Sequence, residues 1–237
     1  MKLFFIYSGL IVFAFSCKKN PIVIEPNPKF TISLNHVVET SHLSLYKDWY
    51  TNQAGNKYRV RHLRYFISNI VLKRNTGNNV FLPVHWLVDV ESELSTVRTW
   101  LQNVEGNYNG ISFFIGVDSA SNVTDALGSN LEVQNMAWPD MMGGGYHFLQ
   151  FEGDYVSKDT VGFAMHLGRN SQLVKIDINK DFSVLKNGTN LKLTMDLSEW
   201  FKNPYTYNFD TDGNYIMGID SLMQKISKNG NDVFQIH

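Results

Sequence analysis

Apolar and polar positions alternate with a period of two along most of this chain, and that period predicts strands. Phe30-Thr-Ile-Ser-Leu-Asn-His-Val-Val38 is the first, with Phe30, Ile32, Leu34 and His36 on one face. Residues 59–73 read as one long strand or a bulged pair. A turn at Asn75-Thr-Gly-Asn78 leads to a return strand at 80–90, which Pro83 places at an edge or a bulge. Residues 91–104 have helical spacing and predict a short helix. Residues 106–118 are a turn and an apolar strand, and 119–135 are a long polar loop. Strands follow at 160–169 and 190–197. A short hairpin is predicted at 174–178 with 182–185, and a helix at 219–227. Eight to ten short strands punctuated by Gly, Asn and Pro predict an all-β fold, an antiparallel β-sandwich with long loops and one or two short helices.

The stretch Asn135-Met-Ala-Trp-Pro-Asp-Met-Met-Gly-Gly-Gly-Tyr-His-Phe-Leu-Gln-Phe-Glu-Gly153 concentrates unusual chemistry. Glycines 143–145 lack a Cβ and admit a sharp bend with φ > 0. A strand is predicted from Tyr146, with 147, 149 and 151 sharing a face. This arrangement holds Trp138 and His147 near each other at a sheet edge. Imidazole and thioether, here His147 and Met136 among others, suit copper. The plain alternative is core filler beside a loop.

The start of the chain changes the picture of where it works. Lys2 precedes an apolar run, Leu3 to Phe15, of signal-peptide length. It ends in Ala14-Phe-Ser-Cys17, similar to a lipobox with Phe15 in place of a small residue. Residues 1–16 are expected to be a lipoprotein signal peptide, Cys17 the lipidated residue, 17–29 a tether and 30–237 the β-domain. Cys17 is the only cysteine, so the mature domain has no internal disulfide, no Cys-type zinc site and no core cysteine nucleophile. The membrane is thus a partner through a lipid anchor.

The 237 residues are 43% hydrophobic, sufficient for one large core, and the net charge of −1 gives no basic face for nucleic acid. Asn208-Phe-Asp-Thr-Asp-Gly213 has Ile219 where a calcium loop needs Glu, so it reads as an Asp-Gly turn. Gly-x-Ser-x-Gly, His-Glu-x-x-His and phosphate-loop motifs are absent, and no enzyme is expected. Of the seven histidines, His36, His147 and His166 have the best context, with His237 at the end of an apolar alternation. A histidine on an apolar face such as His36 is more often a hydrogen-bonded core residue than a ligand.

Several segments, in order, resemble the MbnP-like family of copper-binding partner proteins associated with the methanobactin operon. They are Leu34-Asn-His-Val-Val38, Tyr50-Thr-Asn-Gln-Ala-Gly-Asn56, the run from Leu63 to Leu72, Leu87-Val-Asp89, and Ile111 to Asp118 with Asn122. Met136-Ala-Trp138, Gly145 to Gly153, Phe163-Ala-Met-His-Leu-Gly168 and Val233-Phe-Gln-Ile-His237 complete the set. The resemblance implies an exported β-rich domain that binds copper. It also implies a diheme cytochrome c peroxidase-like partner of the MbnH type that oxidises a tryptophan to kynurenine, which then helps bind the metal. Trp138 matches the Met-x-Trp tryptophan, with Met136 beside it. His36, His166 and His237 match family histidines, and His147 belongs to a variant associated with Bacteroidetes-type lipoproteins. Asp140 replaces a frequent second tryptophan, a four-cysteine pattern is absent, and His85 is shifted by one residue. Histidines from both ends of the chain are expected to meet beside Trp138. A metal-free interaction module of an outer-membrane uptake or adhesion complex is the alternative.

Overall fold

The computed structural model describes residues 29–236. The expected signal peptide, Cys17, nearly all of the expected tether and His237 lie outside the described residues. In chain order the strands and helices are β1 (Phe30–Val38), β2 (Ser41–His42), β3 (Tyr50–Thr51), β4 (Lys57–Arg74), β5 (Val80–Asp89), β6 (Val97–Trp100) and β7 (Gly106–Ile115). Then come α1 (Leu131–Gln134), β8 (Leu149–Val156), β9 (Thr160–Leu167), β10 (Val174–Ile178), β11 (Phe182–Val184), β12 (Thr189–Asp196), α2 (Phe209–Asp212), α3 (Asp220–Asn229) and β13 (Phe234–Ile236). They form an all-β sandwich. One sheet has the order β13-β12-β1-β2 with β6 also on β1. The other has the order β10-β7-β4-β8-β9, with β11 on β7 and with β3 and β5 on β4. Among the described residues no helix is long and apolar enough to cross a membrane.

Alternation explains the layers. Phe30, Ile32, Leu34 and His36 of β1 are all buried and face the larger sheet. Contacts between the sheets include Tyr65 with Phe234, Phe113 with Phe234, and Trp86 edge-on to Trp100. The long strand β4 organises the larger sheet. Its residues 57–65 pair with β8 and its residues 67–74 with β7. The two partners divide at Phe66, whose N–H donates to the carbonyl of Phe148 at 3.2 Å and whose carbonyl accepts from the N–H of Gly116 at 2.8 Å. The loop from 116 to 148 leaves and returns at this fork. β5 is an edge strand, and its register with β4 slips between Ser68 and Ile70, with Asn69 at φ 54°. Pro83 lies in the slip, where no ladder donor is needed.

Three expectations are corrected. The predicted helix over 91–104 is one turn, Glu93–Thr96, followed by strand β6 on β1. The hydroxyls of Ser95 and Thr96 bond to the carbonyls of Asp89, Ser92 and Glu93, which competes with helix propagation. Trp100 packs on Phe30, while Leu94, at 90% exposed, shows that the helical stripe had no core to face. The predicted hairpin of 174–178 with 182–185 is two strands that both pair with β7, one after the other. The sandwich is antiparallel apart from β1 and β12, which run parallel from Phe30 opposite Thr189 to Val37 opposite Asp196. Finally, the strand expected from Tyr146 begins at Leu149. The Asp-Gly segment 208–213 is a short helical turn, α2, with the Asn208 side chain accepting from the N–H of Asp210.

Candidate metal centre

The glycine loop builds the site. Gly143, Gly144 and Gly145 take φ of 111°, 68° and 87°. A Cβ on Gly144 would stand 2.6 Å from Thr124 Oγ1, and one on Gly145 would stand 2.3 Å from Asn122 Oδ1, so the polar loop closes directly onto bare backbone. The bend lays Met136–Trp138 against Gly145–His147. Trp138 N–H donates to the carbonyl of Gly145 at 2.9 Å, and His147 N–H to that of Met136 at 2.6 Å. Asn122 fastens the assembly. Its Oδ1 accepts from Tyr146 N–H at 2.8 Å, and its Nδ2 donates to the carbonyl of Gly168 and to Asn170 Oδ1. Tyr146 Oη in turn accepts from Leu127 N–H at 2.8 Å.

This bracing places three rings in successive contact. Trp138 meets His147 edge to face with centroids 4.8 Å apart, and His147 meets His166 in the same manner at 4.8 Å. The indole is 2% exposed. It lies over Gly168, where a Cβ would come within 2.1 Å of Cε3, and its N–H points to the carbonyl of Met142 at 3.3 Å. His166 stands on β9 opposite Gln150 and bonds through Nε2 to Glu152 Oε1 at 2.8 Å. A carboxylate can only accept, so Nε2 carries the hydrogen, and in the neutral imidazole Nδ1 keeps its lone pair. That hydrogen bond holds the carboxyl of Glu152 below its ordinary value, against the opposing effect of burial. The arrangement is the one in which an outer carboxylate fixes the tautomer of a metal-binding histidine. His147 Nδ1 is buried and has no hydrogen-bond partner, an exception to the general satisfaction of buried polar atoms.

The other expected site residues are placed as follows. Met136 is fully buried in the core and touches the site through its carbonyl. His36 is separate from the ring series. Its Nε2 bonds to the hydroxyl of Tyr65 at 2.8 Å. Tyr65 pairs with Leu149, and Leu149 with Leu167, all three buried on the inner face of the larger sheet. His166, one residue before Leu167, projects from the opposite face. One sheet thickness therefore separates His36 from the imidazole of His166, and the meeting of histidines from both chain ends is not found among the described residues. His237 lies outside them. Among the described residues no group of three or more His, Cys, Asp and Glu is disposed to hold a metal ion.

Glu152, Gly168 and Asn122 were not singled out for roles by the sequence reading. Glu152 carried a signal, since Gln150 and Glu152 alternate against Leu149 and Phe151, but its meeting with His166 depends on the register of β8 with β9.

Two expected results arise from these environments. Tyr65→Phe leaves a buried imidazole nitrogen of His36 unpaired and costs about 1–3 kcal/mol, read as a fall in the urea midpoint. Burial, with a smaller contribution from His42, lowers the pKa of His36 to about 4. Burial, with a smaller contribution from His166, lowers that of His147 to about 3. Both folded values lie below the ordinary 6.5, so the unfolded chain takes up protons first. Their stabilising contribution is complete above pH 6.5 and is lost as the pH falls toward those folded values. Urea titrations across that range will show a declining midpoint, and His36→Gln will have a shallower decline.

Comparisons with known proteins agree with this architecture. The chain matches a family model described as MbnP over residues 27–218. Its fold is similar to the solved structure of MbnP from Methylosinus trichosporium, with a TM-score of 0.50 and 12% identity over 73% of this chain and 77% of that one. No curated protein sequence matches. A family match that spans most of the chain, together with a shared fold, places this protein in the MbnP family.

Proposed function

We propose that this protein is an exported, lipid-anchored copper-binding protein of the bacterial cell envelope, facing the periplasm or the cell surface, with no turnover of its own. The observation that carries the reading is the contact of His147 with His166 beside Trp138, with Glu152 fixing one imidazole and Nδ1 of the other buried without a hydrogen-bond partner. Neutral imidazoles are suitable copper donors. The donor set fits the metal in part: His147 and His166 would hold it, and bound copper would supply a soft cation near Trp138. His36 is satisfied within the core by Tyr65 and is left out of the site. His237 enters only through its sequence match.

In the same proposal Trp138 is the residue oxidised to kynurenine by a diheme peroxidase-like partner of the MbnH type. An indole that is 2% exposed cannot touch an external haem, so electrons would pass from it to the haem partner through intervening protein, with water supplying the oxygen atoms and the excised ring carbon leaving as formate. Residues Ala14 to Cys17 support lipid attachment by their likeness to a lipobox.

Metal analysis of protein purified from copper-supplemented cells tests the binding. Stoichiometric copper that is lost in His147→Ala and His166→Ala supports it. Copper absent from the native chain, or insensitive to both changes, leaves a metal-free interaction module as the better reading. The mass of the peptide holding Trp138, after co-expression with the haem partner, tests the oxidation. An unaltered mass removes it.

A further inference from the structure

Between the end of β1 and the turn at 93–96 lies a cavity of about 480 Å³, within the size range of small-molecule sites. Three segments of the chain enclose it. Glu39, at φ 58°, turns β1 back as β2, and Leu43 N–H donates to the carbonyl of His36 at 2.9 Å. Tyr46, at φ 64°, bonds its N–H to the carbonyl of Val60 at 2.8 Å, which ties the 43–46 segment to β4. From the other side, the hydroxyls of Ser95 and Thr96 hold the single helical turn that leads into β6. Leu34, Leu43, Leu45 and Val90 supply the apolar lining.

Polar groups of complementary kinds converge on this space. The most deeply buried is His36, only 4% exposed and part of the lining. Its Nε2 lies 2.8 Å from the hydroxyl of Tyr65, which is itself fully buried. A buried hydroxyl that only received a hydrogen bond would leave its own hydrogen unpaired, so Tyr65 donates to Nε2. Burial, with a smaller contribution from the nearby His42, lowers the pKa of His36 to about 4. The ring is therefore neutral, and its one hydrogen is on Nδ1. No described residue accepts from Nδ1, and this atom is not sealed in the core. Nearer the surface, His42 Nδ1 donates to the carbonyl of Leu43 at 2.9 Å, so in the neutral ring Nε2 keeps its lone pair. Glu91 is engaged by His62 and Tyr46. The Glu93 carboxylate has no partner among the described residues, where only its backbone carbonyl is engaged, by Thr96. Neither lysine nor arginine lines the cavity. An unpaired N–H donor thus lies beneath an apolar lining, with an acceptor and a free negative charge outside it, a set that selects a cation bearing a carbonyl and an apolar group.

We propose that this cavity binds the amino-terminal residue of a peptide whose first side chain is apolar. The ammonium group would sit between Glu93 and His42 Nε2, the first carbonyl would accept from His36 Nδ1–H, and the side chain would displace water from the leucines. A free amino acid has the same amine and side chain, but its carboxylate would be repelled by Glu91. The site does not depend on the copper reading. Calorimetric titration of the full chain at neutral pH with leucyl-glycinamide tests it, alongside the N-acetylated compound and free leucine. Leucyl-glycinamide is expected to bind, and each of the other two to bind at least about tenfold more weakly. Glu93→Gln alters an exposed side chain, so its thermal midpoint will match the native chain, while its affinity for leucyl-glycinamide falls by at least about tenfold. In spectra of imidazole-labelled protein the Nδ1–H resonance of His36 will move on binding, a response that a remote site would not give. No binding at millimolar leucyl-glycinamide, or binding that is indifferent to acetylation and to Glu93→Gln, overturns the proposal. So does binding that leaves the His36 resonance in place.

Discussion

Gly168→Ala will unseat the indole of Trp138. The added methyl would stand 2.1 Å from Cε3, 2.5 Å from Cδ2 and 2.7 Å from Cζ3, distances at which two carbon atoms cannot coexist. The ring has no easy escape. Its N–H is bonded to Met142, its backbone to Gly145, and its ring packs against His147. Overpacking of this kind costs about 1–3 kcal/mol, so the thermal midpoint will fall by several degrees. More tellingly, tryptophan emission will shift to the red as the indole gains water. Unchanged stability and emission would show that the seat is softer than these distances imply.

On the proposed copper site, His166→Ala will lower copper affinity by at least about 100-fold, and Glu152→Gln by about 10–100-fold, as measured by chelator competition. The first change removes a donor outright. The second retains size and contact but substitutes an amide, which can either donate or accept, for a carboxylate that can only accept. The imidazole is then free to adopt the tautomer with its hydrogen on Nδ1 and its lone pair turned away. An order of effect with His166→Ala greatest and Glu152→Gln intermediate distinguishes a positioned ligand from a histidine that is merely near. Equal affinities for all three proteins would remove His166 from the site.

How much of this was legible without coordinates varies with the range of the interaction. β1, β4, β5, β7, β9 and α3 were readable because each carries its own period and its own punctuation. The sharp bend at 143–145 was readable because glycine advertises φ > 0. Segment 91–104 misled because Leu94, Val97 and Leu101 have helical spacing yet face solvent. Nothing within those residues reports that β1 has an open edge for Val97–Trp100. Pairings between distant strands failed for the same reason. The parallel match of β1 with β12, and the succession of β10 and β11 along β7, depend on partners far along the chain. In the site, Trp138 and His147 were near in sequence and were foreseeable as neighbours. His36 was read correctly onto an apolar face, but the partner that explains it, Tyr65, could not be chosen from sequence. Glu152 and Gly168 act only through the register of β8 and β9 and the overlay of the 135–145 loop, both tertiary facts.

Copper content of the purified His147→Ala and His36→Ala proteins, measured side by side after identical loading, tests the central claim most directly. With the metal at the outer face of the larger sheet beside Trp138, His147→Ala emerges without copper, and His36→Ala keeps a native amount while losing stability. Copper retained by His147→Ala and lost from His36→Ala would place the metal on the inner side, at Tyr65, and contradict the account.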